Sequence, residues 1–531
     1  MYASIGISVP FGLFTDSKKG AAEFIDAFGS REAFLEFCKG SFNSAELRIV
    51  SCDADPCVVL NAVKELKSIG LSVTIHGTLD SNFFAPYRDL FAANLQKCYN
   101  ITVHPLATPE ETEESLSKIC AEIEENAYPV QITLENQRLK KGKYYGACAD
   151  VCELVKKINS PHLSLCYDFG HQLSNERGGL EPIPGDEFLT RVRHTHIHSL
   201  EKRTHYPLNV GECLLDRNLT ELLSRGYDGV LNLELSPERY HEELDVKESI
   251  VKSAKIIKAA IHQVSERLIG KAFYKNDYER IMRTAIAGFE SADNCAMLIG
   301  PSAYALKLQG IRIAIDVTPK ILPIGEPAKA LLSDWISSFD AHIVTHSHVD
   351  HFDPKFINEL PSSVKKIVPD FIPLQTEGRV TVTNGSEIAL GNVSLSFYTS
   401  GHFLGSHGVP EYGIAIKSNG ETLLFPTDVR DYDFVFPHFD NVRALFSHLW
   451  LGRGVALNFD ELLLDKFCRF VKSFNAKECY VAHLVETSRD ITNMWSDMHL
   501  DLVKKHIPEI KSPKIGELIS LNFVKGINAQ F

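Results

Sequence analysis

Residues 345–354 read THSHVDHFDP. Four side chains able to hold a metal, His346, His348, Asp350 and His351, fall within six positions, directly after the apolar run AHIVTH. Residues two apart on a strand point to the same side. His346 and His348 can therefore take one ion together, while Asp350 and His351, on the turn beyond, address a second. Two cations about 3.5–4 Å apart can share a water whose pKa falls to near 7. Such a centre needs ligands from further along the chain. Three strand-like runs supply them: His402 in TSGHFLGSHG, Asp428 in LLFPTDVRDY and His483 in CYVAHLVE. His407 and His448 are rivals to His402 and His483 and are less well placed. Asp353 caps the helix PKFINEL or supports a ligand from behind.

Upstream, AMLIGPSAYALKLQGIRIAIDV reads as two or three strands joined by turns, and EPAKALLSDWISSF as a helix. HxHxDH followed in order by His, Asp and His resembles the metallo-β-lactamase superfamily over roughly residues 296–500. The resemblance implies an αββα sandwich holding two Zn or Mn ions. By it, His346, His348 and His402 hold one ion, Asp350, His351 and His483 hold the other, Asp428 bridges, and Asp350 joins the catalytic groups. Diiron oxidoreductases of the superfamily carry glutamate at the second motif position. Here it is His348, and added imidazole suits zinc or manganese and hydrolysis. HVDHFDP is also similar to the branch containing ascorbate phosphate lactonase and the N-acyl phosphatidylethanolamine phospholipase D. Lipid cleavage needs an apolar membrane face, and no amphipathic basic helix supplies one. Lactone, ester or phosphoester hydrolysis is the expectation.

The first 270 residues follow another rhythm. Apolar, β-rich runs recur about every 30 residues: ASIGISV, SAELRIVS, LSVTIHGT, NITVHPLA, VQITLENQ, LSLCYDFGH, RHTHIHSL and GVLNLELS. Helical stretches lie between them, some ended by glycine as at Gly70 and Gly226. Eight alternations predict a (β/α)8 barrel, closed by a helix from Val246 to Leu268. His76, His104, Glu135, Asp168, His171, His196, His198 and Glu234 all fall at or near C-terminal strand ends, where a barrel builds its active site. His196 and His198 share a face, and His196 is the favoured ligand.

LEN around Glu135, YDFGH around Asp168, HIH around His196 and LEL around Glu234 resemble the xylose-isomerase-like superfamily of sugar isomerases, ketose epimerases and endonuclease IV-type enzymes. The resemblance implies that Glu135, Asp168, His196 and Glu234 hold a divalent ion (Mn, Mg or Zn), with Glu135 and Glu234 as the acid/base pair and His171 binding substrate. His76 and His104 look like further zinc ligands of the endonuclease IV branch, and His205 like another. That branch carries an aspartate where this chain has Arg203, which is assigned here to substrate binding. Arg138, Lys140, Lys141 and Lys143 follow Glu135 as a phosphate clamp or a solvated basic loop.

The totals agree with two enzymatic domains. A chain of 531 residues exceeds one core, and the expected division is a barrel over 1–270, a helical connector over 271–295 and the second domain over 296–531. A net charge of -13 argues against nucleic acid as a partner. Twelve cysteines without CxxC pairs read as free thiols in a reducing cytosol. Neither a leader nor a membrane-length apolar run is present, so a cytoplasmic protein without a membrane partner is expected. The reading is a bifunctional metal-dependent enzyme acting on sugars or sugar phosphates, and homo-oligomers are compatible with it. The alternatives are a hydrolase whose barrel only binds sugar or dimerises, and a nucleic-acid repair nuclease.

Overall fold

A computed structural model describes residues 3–17, 19–140, 145–403 and 407–521. The chain divides into two compact units, Met1–Val264 and Ser265–Phe531.

In the first unit, eight strands form a closed parallel barrel: β1 Ser4–Pro10, β2 Ser44–Arg48, β3 Ser72–His76, β4 Tyr99–Val103, β5 Val130–Glu135, β6 Leu163–Asp168, β7 Val192–Ile197 and β8 Val230–Leu233. β8 pairs back onto β1 through Ser4 and Val230, which removes any free edge. All eight runs read from the sequence become strands. The helices between them begin and end for local reasons. Thr108 caps Pro109–Asn126 by accepting from the Glu111 amide, with Pro109 at the first helical position. Pro56–Ser68 ends on Gly70, at φ 92, which brings the Leu71 amide onto the Leu66 carbonyl at 3.2 Å. Gly226, at φ 78, ends Leu215–Ser224 in the same way. Both are left-handed glycine stops that satisfy otherwise orphaned carbonyls.

The helix Val246–Asn276 runs past the Leu268 expected from the sequence and contains the division between the units. The next helix, Tyr278–Ser291, buries Tyr278, Met282, Ala285 and Phe289. It packs within the second unit, although the sequence suggested a connector there.

The second unit contains two mixed sheets. One carries β9 Cys295–Leu298, β10 Tyr304–Leu308, β11 Ile311–Ile315, β12 Ala341–Ile343, β13 Lys365–Pro369 and β14 Arg379–Val382. The other runs through β15 Glu387–Leu390, β16 Val393–Thr399, β17 Tyr412–Ser418, β18 Glu421–Thr427, β19 Val442–His448 and β20 Glu478–Ala482 in sequence order. A late strand, β21 Leu518–Ser520, returns to pair with β9.

Period-two alternation assigns each face. Ile313 and Ile315 of β11 and Leu423 and Phe425 of β18 enter one shared core between the sheets. Ala314 and Leu424, one residue along, face outward into separate cores. The helices Tyr278–Ser291 and Glu326–Ile336 cover the first sheet, and Glu461–Ser473 and Asp497–His506 cover the second. Helices thus lie outside two face-packed sheets, and the strand ends at β11, β12, β16, β18, β19 and β20 carry or lead into Asp316, the His346–His351 motif, His402, Asp428, His448 and His483. Among the described residues, no helix is long and apolar enough to cross a membrane.

Candidate functional site

The barrel gathers its polar side chains around Glu135, the last residue of β5. His196 Nδ1 lies 3.0 Å from one Glu135 oxygen and 3.3 Å from Glu234. His104 Nε2 lies 3.2 Å from Glu135, and His171 Nδ1 lies 3.4 Å from its other oxygen. His76 sits between Glu135 at 3.8 Å and Glu234 at 3.6 Å. Glu135, His196 and Asp168 are fully buried, whereas His104 stands exposed at the rim. Both carboxylate oxygens of Glu135, one of Glu234 and the Nδ1 of His196 carry no hydrogen bond. Buried polar atoms are almost always satisfied. So many orphans aimed at one another fit a divalent cation.

Glu46, in the middle of β2, was not singled out from the sequence. It lies beneath this ring, fully buried, and takes His196 Nε2 at 2.9 Å and His194 Nε2 at 2.7 Å. Ser8 and Asn232 also donate to it. Burial opposes charge on His196, yet the surrounding Glu46, Glu135 and Glu234 raise it well above its ordinary value; with Nε2–H held by Glu46, it is the Nδ1 proton facing Glu135 and Glu234 that a metal would displace to take the lone pair. His198 carries its proton on the same ring nitrogen but turns it to a different partner. Its Nδ1 accepts the His205 amide at 2.8 Å, so the neutral ring carries its proton on Nε2 and donates to Asp168 at 3.0 Å. His196 therefore offers a lone pair to a metal, and His198 orients a carboxylate. Gly170 makes room for that ring: a Cβ there would lie 1.9 Å from His198 Cε1.

Electrostatics binds the group together. Burial would raise the Glu135 carboxyl, but His196 and His104 hold it well below the ordinary range; His196 and His76 do the same for Glu234. Burial opposes charge on His171, yet Asp168 and Glu135 lift it to about 9. His205 is driven down by burial and by neighbouring His198. Its backbone is held at φ 69, a strained conformation for a non-glycine residue.

In the second unit the opening motif converges with the later residues. The rings of His346, His348 and His402 lie 4.6–4.9 Å apart by centroid. Asp428 approaches this group and a second one, with His351 Nε2 at 3.5 Å and His483 Nε2 at 3.5 Å. Asp350 lies 3.5 Å from His483 and accepts from Arg489 at 2.6 Å. Each ring is backed by an oxygen on its far side. His351 Nδ1 donates to Asp316 at 2.8 Å, His402 Nδ1 lies 2.8 Å from Glu411, and His483 Nδ1 lies 2.9 Å from Glu486. His348 Nε2 donates to the His407 carbonyl at 3.2 Å. The inward nitrogens of His351, His402 and His483 carry no hydrogen bond and face a common centre, where the neighbouring carboxylates favour the protonated form of His351 and His483 until a metal displaces the proton.

Burial and His351 hold His346 well below its ordinary value, and burial with His402 lowers His348 to about 4. Both rings are then neutral and free to ligate at pH 7. Asp428 and Glu486 outweigh burial at His483 and raise it to about 9. Asp316, Thr427 and His483 all have left-handed backbone at φ 53, 61 and 68, so strain gathers beside the cluster.

All seven residues expected in this cluster are brought together, and His448 joins them. It was read as the weaker rival of His483, but its Nδ1 lies 2.7 Å from Asp428 and its ring stacks 4.9 Å from His483. The sequence does not show that both histidines join one cluster, because adjacency of β19 and β20 is a tertiary fact. Asp353 accepts from the Lys355 and Phe356 amides as a helix cap. In the barrel, Arg203, Arg138 and Lys140 are exposed, while Lys141 and Lys143 lie outside the described residues. Asp316, Glu411, Glu486 and Glu46 were missed. Their signal was present only as acidic residues within apolar strands or beside the motifs, as in IAIDV and SAELRIV.

The fold and clusters define a chain with a closed eight-stranded barrel and a second, histidine-rich unit. Residues 90–258 match the family described as a xylose isomerase-like TIM barrel. Over 165 residues, 29% of this chain, it is 27% identical to an uncharacterized protein of Methanocaldococcus jannaschii. It is 29% identical to a second one from the same organism over 188 residues, 32% of this chain. The chain spans 59% of the length of each of these curated relatives. Among solved structures, a D-tagatose 3-epimerase-like protein aligns with a TM-score of 0.37 at 18% identity, covering 50% of this chain and 100% of that one. A metallo hydrolase from Ignicoccus hospitalis aligns with a TM-score of 0.33 at 13% identity, covering 44% of this chain and 99% of that one.

Proposed function

We propose that this chain is a bifunctional metal-dependent enzyme of carbohydrate metabolism, with a sugar or sugar-phosphate isomerase or epimerase in the barrel and a metallo-β-lactamase-type hydrolase in the second unit. The observation that carries the reading is the pair of separate buried clusters, each with inward carboxylate or imidazole atoms that lack a hydrogen bond. The helix–sheet–sheet–helix layering and the ligand order His346, His348, Asp350, His351, His402, Asp428, His483 support the hydrolase half.

In the barrel, Glu135, Glu234, Asp168 and His196 Nδ1 would hold a divalent ion. In the second unit, His346, His348, His402 and Asp428 would hold one ion, and Asp428, His351, His483 and Asp350 another. When bound, such ions supply Lewis acidity, polarising a carbonyl in the barrel and lowering the pKa of water in the second unit. Glu135 and Glu234 both reach His196 Nδ1 and are the pair that takes and returns a proton at the carbon next to the carbonyl. His171, with Nδ1 on the Asn136 carbonyl at 3.1 Å, presents Nε2 to a substrate hydroxyl. In the second unit, Asp350, anchored by Arg489, orients the attacking water and accepts its proton.

A second reading of the barrel, phosphoester hydrolysis with more than one ion, is favoured by His76 and His104. Their rings lie 4.8 Å apart and both face Glu135, which is more imidazole than one isomerase ion uses.

The test is metal analysis of the full chain, with screening against sugar lactones, sugar phosphates and phosphodiesters beside a chelated control. Glu135→Gln is expected to abolish isomerisation and spare hydrolysis, and His348→Ala the reverse. Retention of every activity in Glu135→Gln would defeat the bifunctional reading. Phosphodiester cleavage lost in Glu135→Gln would select the second one.

A further inference from the structure

We propose that the mouth of the barrel carries a phosphate seat formed by Arg48, Arg203 and Arg239, and that the barrel acts on a phosphorylated small molecule. This deepens the reading of the barrel as a sugar-transforming site and rests on it.

The three guanidinium groups come from three separate strand ends at the face that holds the metal cluster. Arg48 is the last residue of β2, and its neighbour across the ladder in β3 is His76. Arg203 is exposed on the loop after β7, two residues before His205. Arg239 ends the short turn Pro237–Arg239 after β8, five residues beyond Glu234. Loops after the seventh and eighth strands, with a short extra helix, are where barrels often bind phosphate. Arg239 is fixed in place: Nη1 donates to the Thr204 carbonyl at 3.0 Å and hydroxyl at 3.1 Å, and its own carbonyl accepts from Tyr206 at 3.1 Å.

What the three lack is a direct ion-pair partner. Among the described residues, none of the three forms an ion pair within 4 Å of a carboxylate, although Glu238 and Glu234 act on Arg239 from farther away in a chain with net charge -13. Elsewhere in the same unit Arg31 pairs with Glu65, Arg217 with Glu176 and Arg225 with Asp186. Arg239 is half-buried, and burial disfavours its charge; Glu238 and Glu234 offset this in part, while Arg48 and Arg203 add to it. Like charges collected at a desolvated rim are unfavourable until an anion joins them. A phosphate dianion, with three terminal oxygens, meets three planar forks better than a carboxylate does. Arg48 also lines a cavity of about 330 Å³ with Thr15, Ser17, Lys19 and Ser51, in which Asp53 is the acidic member. A group seated there occupies the same end of the barrel as Glu135 and Glu234.

The test is binding of inorganic phosphate to the full chain by calorimetry, in metal-loaded and metal-stripped protein, with metal content measured on the same samples. Stripping removes phosphate that coordinates ions in either unit, so the remaining saturable site reports the arginines. Arg48→Met and Arg239→Met are each expected to weaken that site roughly tenfold or more, as loss of a charge-assisted hydrogen bond does. Arg48→Lys should retain part of the affinity. Arg203→Gln, at an exposed position, gives a variant that folds whatever the other two do, and it should also weaken binding. Absence of saturable phosphate binding in stripped wild-type protein, or wild-type affinity retained by both Arg203→Gln and Arg48→Met, would overturn the seat. A metal-binding barrel without phosphate affinity defeats the seat alone; phosphate affinity in a barrel that takes up no metal defeats the isomerase reading and leaves the seat standing.

Discussion

The two clusters use similar side chains in opposite ways. In the barrel, Glu46, Glu135, Asp168 and Glu234 come from β2, β5, β6 and the end of β8, so carboxylates ring the centre and regular strands aim them. In the second unit, imidazole faces the centre and several carboxylates stand behind it: Asp316 behind His351, Glu411 beside His402, Glu486 beside His483. The ligands there lie on turns past the strands, with left-handed backbone at Asp316, Thr427 and His483. A carboxylate-lined site suits harder ions and proton transfer at carbon, and an imidazole-lined site suits zinc-like ions and activation of water. The difference teaches that the count of histidines matters less than which atom of each is left without a partner.

The sharpest way to break this comparison is to remove one carboxylate from each centre. Glu135→Gln should lower barrel turnover by roughly 10²–10⁴, the scale of a lost general base, without changing hydrolysis. Asp428→Asn should eliminate hydrolysis and metal from the second unit and leave isomerisation intact. Steady-state rates with both substrate classes check both statements; a variant that silences both activities would mean the centres are not independent.

Next comes a histidine outside both centres. His342, on β12, is buried, and burial depresses it to about 4, with Asp316 only partly offsetting this. The unfolded ring, near 6.5, takes a proton first as pH falls. Stability from this residue is therefore full above about 6.5, declines as pH drops toward 4 and then levels off. The loss is on the order of 3 kcal/mol at most. Urea unfolding of the full chain at pH 7.5 and pH 4.5 should show it, and His342→Leu should flatten the dependence. The buried barrel histidines His194 and His196 share Glu46 and give no reason to expect the same slope from His196.

Metal affinity sharpens the comparison further. Glu46→Gln should weaken barrel metal binding about 10–100-fold, because His196 loses the carboxylate that fixes its tautomer. Glu411→Gln should do this only in the second unit. Competition with a chromophoric chelator measures both, and a loss in the wrong unit would refute the assignment. The smallest effect is expected at Asp353. Removing its cap in Asp353→Ala should cost about 1 kcal/mol with metal content unchanged; loss of metal would give Asp353 a supporting role at the centre.

Much of the architecture was legible in the chain. The eight apolar runs and the helices between them declare a barrel, because a strand's hydrophobic pattern and a helix's stop signals are local. THSHVDHFDP and the later His402, Asp428 and His483 declare a cluster, because ligand types at strand ends have few other uses. Glu46 was not legible: a lone glutamate in SAELRIV has no local sign that it faces inward. The sequence ranked His483 above His448 and His196 above His198, but it did not show that His448 joins the cluster or that His198 orients Asp168. Those roles depend on neighbours distant in sequence: a backbone amide at His205, a carboxylate on β2, the adjacency of β19 and β20. By itself the sequence determined which residue types stand at which strand ends. Only the tertiary structure decided which nitrogen of each ring is already taken and which arginines were left without a direct ion-pair partner, because hydrogen bonds and ion pairs are settled by proximity in space.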